Sequence, residues 1–299
     1  MNAHYQQPTS PPFGAGEPSF FRIPDLSSLT PFHKFLLIGL ATLFIIINIS
    51  FFRLATILSP EDRNSGLQSR SATTQNRPAH LLIVLGSGGH TAEMLNILST
   101  ALPHFQAPFS FTHRTYVVSS GDSFSSQKAH EFESSLVHMK DPSATTSTTY
   151  DIVTVHRARK VHQSLLTAPA SSLRCLWDCI RILKGTHPDL QPAGPAKGYP
   201  DLILTNGPGT GVIVILASII LLFFGFSGNR SCEGGNGASP DAFEAGRMRS
   251  IYIESWARVQ KLSLSGRLLK PLVGRFIVQW PQLVEKEGQR VEYIGPLIT

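Results

Sequence analysis

A run of branched apolar residues, Leu81 to Leu85, stops abruptly at Gly86-Ser87-Gly88-Gly89, and an amphipathic segment opens directly behind it with His90, Thr91, Ala92, Glu93, Met94 and Leu95. This has the form of a buried strand, a tight turn and a helix start. Glycines at 86, 88 and 89 can take positive φ and let backbone approach a ligand closely. The free N–H groups of the helix turn that follows attract negative charge. The chemistry suggested is phosphate or pyrophosphate binding; the plainer alternative is a turn whose glycines serve only strand-to-helix packing.

What the loop lacks narrows its ligand. A Walker P-loop needs a lysine followed by Ser or Thr after its last glycine, and here His90-Thr91 stand instead. A dinucleotide fingerprint needs a third glycine at position 91 and an acidic residue roughly 20 positions on, and neither is present. His90, at the helix entrance, is either a donor to a phosphate oxygen or a cap.

The same design recurs downstream. The apolar stretch Asp201 to Thr205 is stopped by Asn206-Gly207-Pro208-Gly209-Thr210-Gly211. Ligands of open parallel sheets bind outside the carboxyl ends of strands, so two glycine turns at such ends favour one shared site. A turn that merely launches a helix from Pro208 is the alternative. Glu254 follows Ile251-Tyr252-Ile253 and belongs to the same edge, where a carboxylate can orient a sugar hydroxyl or act as a base.

Around these turns the chain divides into a tail at 1–31, rich in Pro, Gly and Ser, an apolar helix with its flanks at 32–58, a polar tether at 59–79, and a folded domain at 80–299. Phe35 to Phe52 carries no charge and as a helix spans about 27 Å at about 1.5 Å per residue, close to the roughly 30 Å hydrocarbon thickness. It reads as one transmembrane helix. Arg53, Arg63, Arg70 and Arg77 follow it against Arg22 and Lys34 before it, which puts the domain in the cytosol.

Within the domain, strands are expected at 114–119, 151–155, 201–205, 251–254, 275–279 and 291–294. Helices are expected within 122–139 and over 173–184 and 259–272. This alternation predicts an α/β fold with a Rossmann-like parallel sheet covered on both faces. Gly211 to Phe226 has no charge and is read as a buried or membrane-grazing helix, with a second span as the alternative; residues 227–250 look like an inserted surface loop.

Charge and cysteine content exclude some classes. The net charge of +6 suits an anionic ligand or a membrane surface. No nucleic-acid partner is expected, because no stretch joins basic residues to a groove-reading motif or stacking aromatics. Three cysteines rule out a disulfide framework or a four-cysteine zinc site, and Cys175 and Cys179, four apart on a helix, read as small buried residues in a reducing compartment. Two basic clusters remain. One is His156, Arg157, Arg159, Lys160 and His162, which either meets pyrophosphate or is a solvated loop. The other is Arg258, Lys261, Arg267, Lys270 and Arg275, interleaved with leucines in a stretch from Ser255 to Val284 that holds no acid, a pattern suited to anionic headgroups or to a solvated helix face.

Four stretches carry a family resemblance: Gly86-Ser-Gly-Gly-His-Thr-Ala-Glu-Met94; Asp201-Leu-Ile-Leu-Thr-Asn-Gly-Pro-Gly-Thr210; Tyr252-Ile-Glu-Ser255 with Arg258 and Leu262-Ser-Leu-Ser-Gly266; and Phe276-Ile-Val-Gln-Trp-Pro281. In this order, over about residues 80 to 297, they resemble the membrane-anchoring subunit of the eukaryotic dolichol-pathway UDP-N-acetylglucosamine transferase, the asparagine-linked glycosylation protein 14 family. That family is similar to the N-terminal, acceptor-side half of bacterial GT-B enzymes acting on polyprenyl-diphosphate sugars. The resemblance implies a complex that adds the second N-acetylglucosamine to N-acetylglucosaminyl-diphosphodolichol, forming a β-1,4 linkage with inversion. It implies the cytosolic face of the endoplasmic reticulum membrane, with the outer nuclear membrane as a second address. No second α/β domain follows within the 299 residues, so a separate soluble catalytic chain is expected to hold the UDP-N-acetylglucosamine donor. No cofactor and no metal is expected on this chain.

By the same resemblance, Gly86, Ser87, Gly88, Gly89, His90 and Thr91 face the acceptor pyrophosphate; Asn206, Gly207, Pro208, Gly209 and Thr210 complete the cleft; and Glu254 lies near the acceptor sugar. His90 and Glu254 are the candidates for taking the proton from the acceptor hydroxyl. The residues themselves leave two other readings open: a self-contained nucleotide- or dinucleotide-dependent membrane-bound enzyme, and a pure anchor with a vestigial site.

Overall fold

The structure is a computed structural model that describes residues 30–59, 79–102, 111–139, 149–159, 168–191, 198–207, 209–226 and 248–295. Most of the expected tail and tether, residues 227–247 of the expected inserted loop, Pro208, Lys160 and His162 lie outside the described residues. Helix α1, Pro31–Ile57, has 27 residues and a window of mean hydropathy 2.5, so by length and composition it is a candidate membrane span. Its side chains are exposed, as expected of a helix that is apolar all round.

In chain order the domain then runs β1 (Ala79–Val84), α2 (Gly89–Ala101), β2 (Phe111–Ser119), α3 (Ser123–Met139), β3 (Thr149–Val155), α4 (Ala168–Leu183) and β4 (Leu202–Thr205). It continues with α5 (Thr210–Phe223), β5 (Arg249–Ile253), α6 (Leu264–Leu269), β6 (Arg275–Val278), α7 (Pro281–Glu287) and β7 (Glu292–Tyr293). All seven strands are parallel, in the order β3-β2-β1-β4-β5-β6-β7. The order reverses between β1 and β4, and a crevice opens at such a reversal because the connections leave for opposite sides.

The two-residue period of a strand divides the core. Leu82 and Val84 pack on one side with Cys175, Cys179, Val214, Ile215, Leu269 and Leu283, the layer of α4 to α7. Leu81, Ile83 and Leu85 pack on the other with Met94, Leu98 and Ala129, the layer of α2 and α3. Every residue of β1 is buried, which is why its sequence from Leu81 onward is a continuous apolar run. Helix α5 buries Val214, Ile215, Ala217 and Leu221 in this core and has 14 residues, so it is a core helix of the domain.

The helix expected over 259–272 is a correction: only Leu264–Leu269 is helical, and the chain before it turns. Ser263, extended at φ −61° and ψ 164°, caps α6 through its Oγ, and its own N–H donates to Glu254. A helix cannot run through a residue held that way. Helix α7 was not expected, although Pro281 in its first turn and Gly288 at φ 76° behind it are start and stop signals.

At the amino ends of β1 and β2, His80 and His113 are buried with ring centroids 4.9 Å apart. His80 Nε2 meets Thr115 Oγ1 at 2.8 Å, and His113 Nδ1 meets Thr149 Oγ1 at 2.8 Å. Burial, and then the neighbouring His113, push the His80 pKa down to about 3. Burial also lowers His113, against the pull of Asp151. Histidines held neutral in the fold but free to charge in the unfolded chain remove stability as pH falls below their ordinary value of 6.5. Stability is expected to fall by up to about 1.4 kcal/mol per pH unit through His80 from about pH 6.5 toward its folded value of about 3, with a smaller loss of the same sign from His113. Thermal unfolding across that window checks this; a flat Tm overturns it, and His80→Gln should flatten the slope.

Candidate functional site

The two glycine turns meet at the sheet's reversal point. The first follows β1 and the second follows β4, the neighbouring strand. A Cβ on Gly86 would lie 2.7 Å from His90 Cβ and 3.3 Å from Gly207 Cα, and one on Gly207 would lie 3.0 Å from Gly86 Cα. The loops therefore touch backbone to backbone, which side chains at 86 and 207 would prevent. Gly88 and Gly209 stand at the N-caps of α2 and α5 with φ of 61° and 70°, and neither helix start is capped by a side chain. Two uncapped helix starts thus rise from one crevice, and their first N–H groups favour an anion there.

The other predicted residues divide into those that face the crevice and those that build it. Ser87, Gly88 and Gly89 are exposed and His90 is half-buried. Thr91 is fully buried: its hydroxyl donates to the Gly86 carbonyl and meets Ser125 Oγ at 2.6 Å, so it holds the first loop closed. Asn206 is buried and donates through Nδ2 to the His90 carbonyl at 2.8 Å, which ties the second loop to α2, while its Oδ1 has no partner among the described residues. Thr210 Oγ1 meets Ser119 Oγ at 2.7 Å and links the second loop to the end of β2.

Glu254 lies at the carboxyl edge, as expected, but is turned inward and is 1% exposed. Its carboxylate accepts from Ser263 N at 3.0 Å, Ser263 Oγ at 3.1 Å and Ser255 N at 3.2 Å. Burial raises its pKa above the ordinary carboxylate value despite these donors. In this geometry Glu254 closes the 255–262 loop at its base, and Gly266 is glycine because a Cβ there would stand 2.2 Å from Glu254 Oε2.

The sequence reading missed Glu93, which stands one helical turn after His90. Its Oε2 lies 3.7 Å from His90 Nδ1. Its Oε1 accepts from Trp256 N at 2.6 Å and from Gln279 Nε2 at 2.5 Å, and Gln279 also donates to the Glu254 carbonyl at 3.0 Å. Burial pushes the Glu93 carboxyl up, but the His90 ring beside it and the Trp256 and Gln279 donors outweigh that, so its pKa lies below the ordinary value. The signals were an acid three residues after His90 and a glutamine ending the apolar run of β6. On sequence alone neither is distinguishable from ordinary helix-face or strand-end polarity.

Two members of the first basic cluster, His156 and Arg157, are committed elsewhere. Arg157 donates to the Ser120 carbonyl at 2.8 Å and to that of Gly121, and His156 Nδ1 donates to Asp178 at 2.6 Å. These bonds fasten the exits of β2 and β3. An open groove of about 1020 Å³ runs from Ser119 past Asp122, Ser126 and His130, and no described residue of the glycine turns lines it.

The family model "Oligosaccharide biosynthesis protein Alg14 like" matches residues 81–297. The UDP-N-acetylglucosamine transferase subunit alg14 of Aspergillus fumigatus is 41% identical over 216 residues, covering 64% of this chain and 95% of the relative. The subunit of the same name from Schizosaccharomyces pombe is 37% identical over 72% of this chain and 82% of its own length. The one from Rattus norvegicus is 32% identical over 75% and 86%. A match that takes in both glycine turns, the Glu254 edge and the β6 strand shows that the chain belongs to the Alg14 family of oligosaccharide biosynthesis proteins.

Proposed function

We propose that this chain is the membrane-anchoring, acceptor-side subunit of a UDP-N-acetylglucosamine transferase that adds the second N-acetylglucosamine to N-acetylglucosaminyl-diphosphodolichol on the cytosolic face of the endoplasmic reticulum. The observation that carries this is the crevice between β1 and β4, where two uncapped helix starts suit a pyrophosphate and His90 stands at the same opening. Family membership supports the sugar chemistry, and α1 supports residence in a membrane.

In this reading the acceptor pyrophosphate lies against Gly86 to Gly89 and the start of α5. The acceptor hydroxyl oxygen attacks the anomeric carbon of the donor sugar, the bond from that carbon to the UDP oxygen breaks, and the configuration inverts. The hydroxyl proton passes to His90, whose ring faces the ionised Glu93. Glu254 is a positioning residue that shapes the 255–262 loop. UDP leaves with the partner, a soluble catalytic subunit that holds the donor.

The test is affinity capture of the full chain from membranes in mild detergent, followed by a transfer assay with the diphosphodolichol acceptor. A soluble second chain is expected to co-purify stoichiometrically, and transfer is expected only in its presence. Turnover of a nucleotide sugar or a dinucleotide by this chain alone would overturn the reading.

A further inference from the structure

The segment after β5 is shaped for a surface. Glu254 accepts from Ser263 N at 3.0 Å, so the chain leaves the sheet at 254, loops out and returns to the same carboxylate before α6 begins. The tip of this loop exposes Trp256, 36%, and Val259, 39%, and the helix at its foot exposes Leu264, 73%, and Leu268, 53%. Leu264 and Leu268 are four apart and share one helix face. Leu262 and Leu269, on either side of this pair in the chain, are buried, so the outward leucines are not spare core.

The charges on this segment are of one sign. Arg258, Lys261 and Arg267 are exposed and make no ion pair among the described residues, whereas Lys270 and Arg275 are neutralised by Glu287 and Glu292. No acidic residue occurs from Ser255 to Val284. The Trp256 ring leans on Trp280 at 4.5 Å, and Trp280 Nε1 donates to the Trp256 carbonyl, which fixes an indole at the rim.

We propose that the loop and helix from Trp256 to Leu268 dock on an anionic bilayer surface, with Trp256, Val259, Leu264 and Leu268 in the interfacial layer and Arg258, Lys261 and Arg267 against lipid headgroups. Leucines and indole interleaved with unpaired lysine and arginine are the interfacial pattern. A protein-binding surface is depleted of lysine and keeps its centre uncharged. The same chain carries the candidate span α1, so a bilayer is within its reach. The Trp256 N–H is bonded to Glu93, the partner of His90, so docking here turns the proposed acceptor site toward the plane that holds a lipid-linked substrate. To that extent the inference rests on the function proposed above.

The test uses the full chain carrying Trp177→Phe, reconstituted into bilayers of phosphatidylcholine alone or of equimolar phosphatidylcholine and phosphatidylserine, each with acyl-brominated lipid as quencher. Fluorescence of Trp256 and Trp280 is expected to be quenched in the anionic bilayer and more weakly in the neutral one. Leu264→Asp with Leu268→Asp should abolish quenching. Each of Arg258→Gln, Lys261→Gln and Arg267→Gln should lower the docked-to-free ratio about fivefold. All five positions are exposed, and unchanged circular dichroism checks that the variants fold. Quenching that is absent in both bilayers, or undiminished in the double aspartate variant, overturns the proposal. So does loss of a co-purifying soluble chain from that variant without any quenching in the wild type, which would make the surface a protein interface. The transfer assay is read separately: intact transfer without docking defeats this inference and leaves the proposed function standing.

Discussion

Glu133→Ala is expected to destabilise the domain by about 3–5 kcal/mol. Arg114 on β2 and Glu133 on α3 are 6% and 2% exposed and form a two-pronged pair, Nε to Oε1 and Nη2 to Oε2, each at 2.6 Å. Tyr116 donates its hydroxyl to the same Oε1 at 2.6 Å. Removing the carboxylate leaves a guanidinium that cannot lose its proton, buried without a counter-charge, and a buried hydroxyl without an acceptor. For a domain of this size the loss corresponds to a fall in Tm of roughly 6–20 °C. Thermal unfolding in detergent checks it, and a Tm equal to that of the wild type would refute the account. Replacing Arg114 by Met and Glu133 by Leu together should cost much less than Glu133→Ala alone, because no charge is then stranded.

His90→Ala is expected to reduce transfer by the assembled complex about 10²–10⁴-fold while the partner still co-purifies in full. The ring stands where the two loops touch, its backbone carbonyl is held by Asn206, and Glu93 faces its Nδ1. Glu93→Gln keeps the shape but removes the negative charge, so a smaller loss in the same direction is expected. Free imidazole added to the alanine variant should restore part of the rate. That rescue separates proton transfer from packing, because a purely structural defect would not respond to it. Full activity in His90→Ala would remove His90 from the mechanism and leave the chain an anchor.

Part of this site was legible in the residues. Gly86, Gly88 and Gly209 announced themselves because turns at positive φ and backbone-to-backbone contact admit little else. His90 stood out by its place among them. The role of Glu254 was not legible: its position at the strand's end could be read, but its inward turn depends on Ser263, whose N–H and hydroxyl reach back across nine residues. Glu93 was harder still, because its partners Trp256 and Gln279 are 163 and 186 residues away. A helix over 259–272 was the natural reading of a leucine and arginine pattern, and it failed because periodicity carries no information about a distant carboxylate capturing one amide.

The sequence by itself determined the candidate membrane helix, the alternation of strand and helix and the two glycine turns, because each is set by local chemistry: apolar length, a two-residue or 3.6-residue period, and the freedom of glycine. Only the tertiary structure decided that β1 pairs with β4, so that the turns face one another. The same packing made Glu254 a brace and Glu93 the partner of His90, and it left Leu264 and Leu268 of α6 exposed. Strand order and side-chain pairing at long range follow from which faces must be buried together, and that is a property of the whole packed sheet rather than of any stretch of the chain.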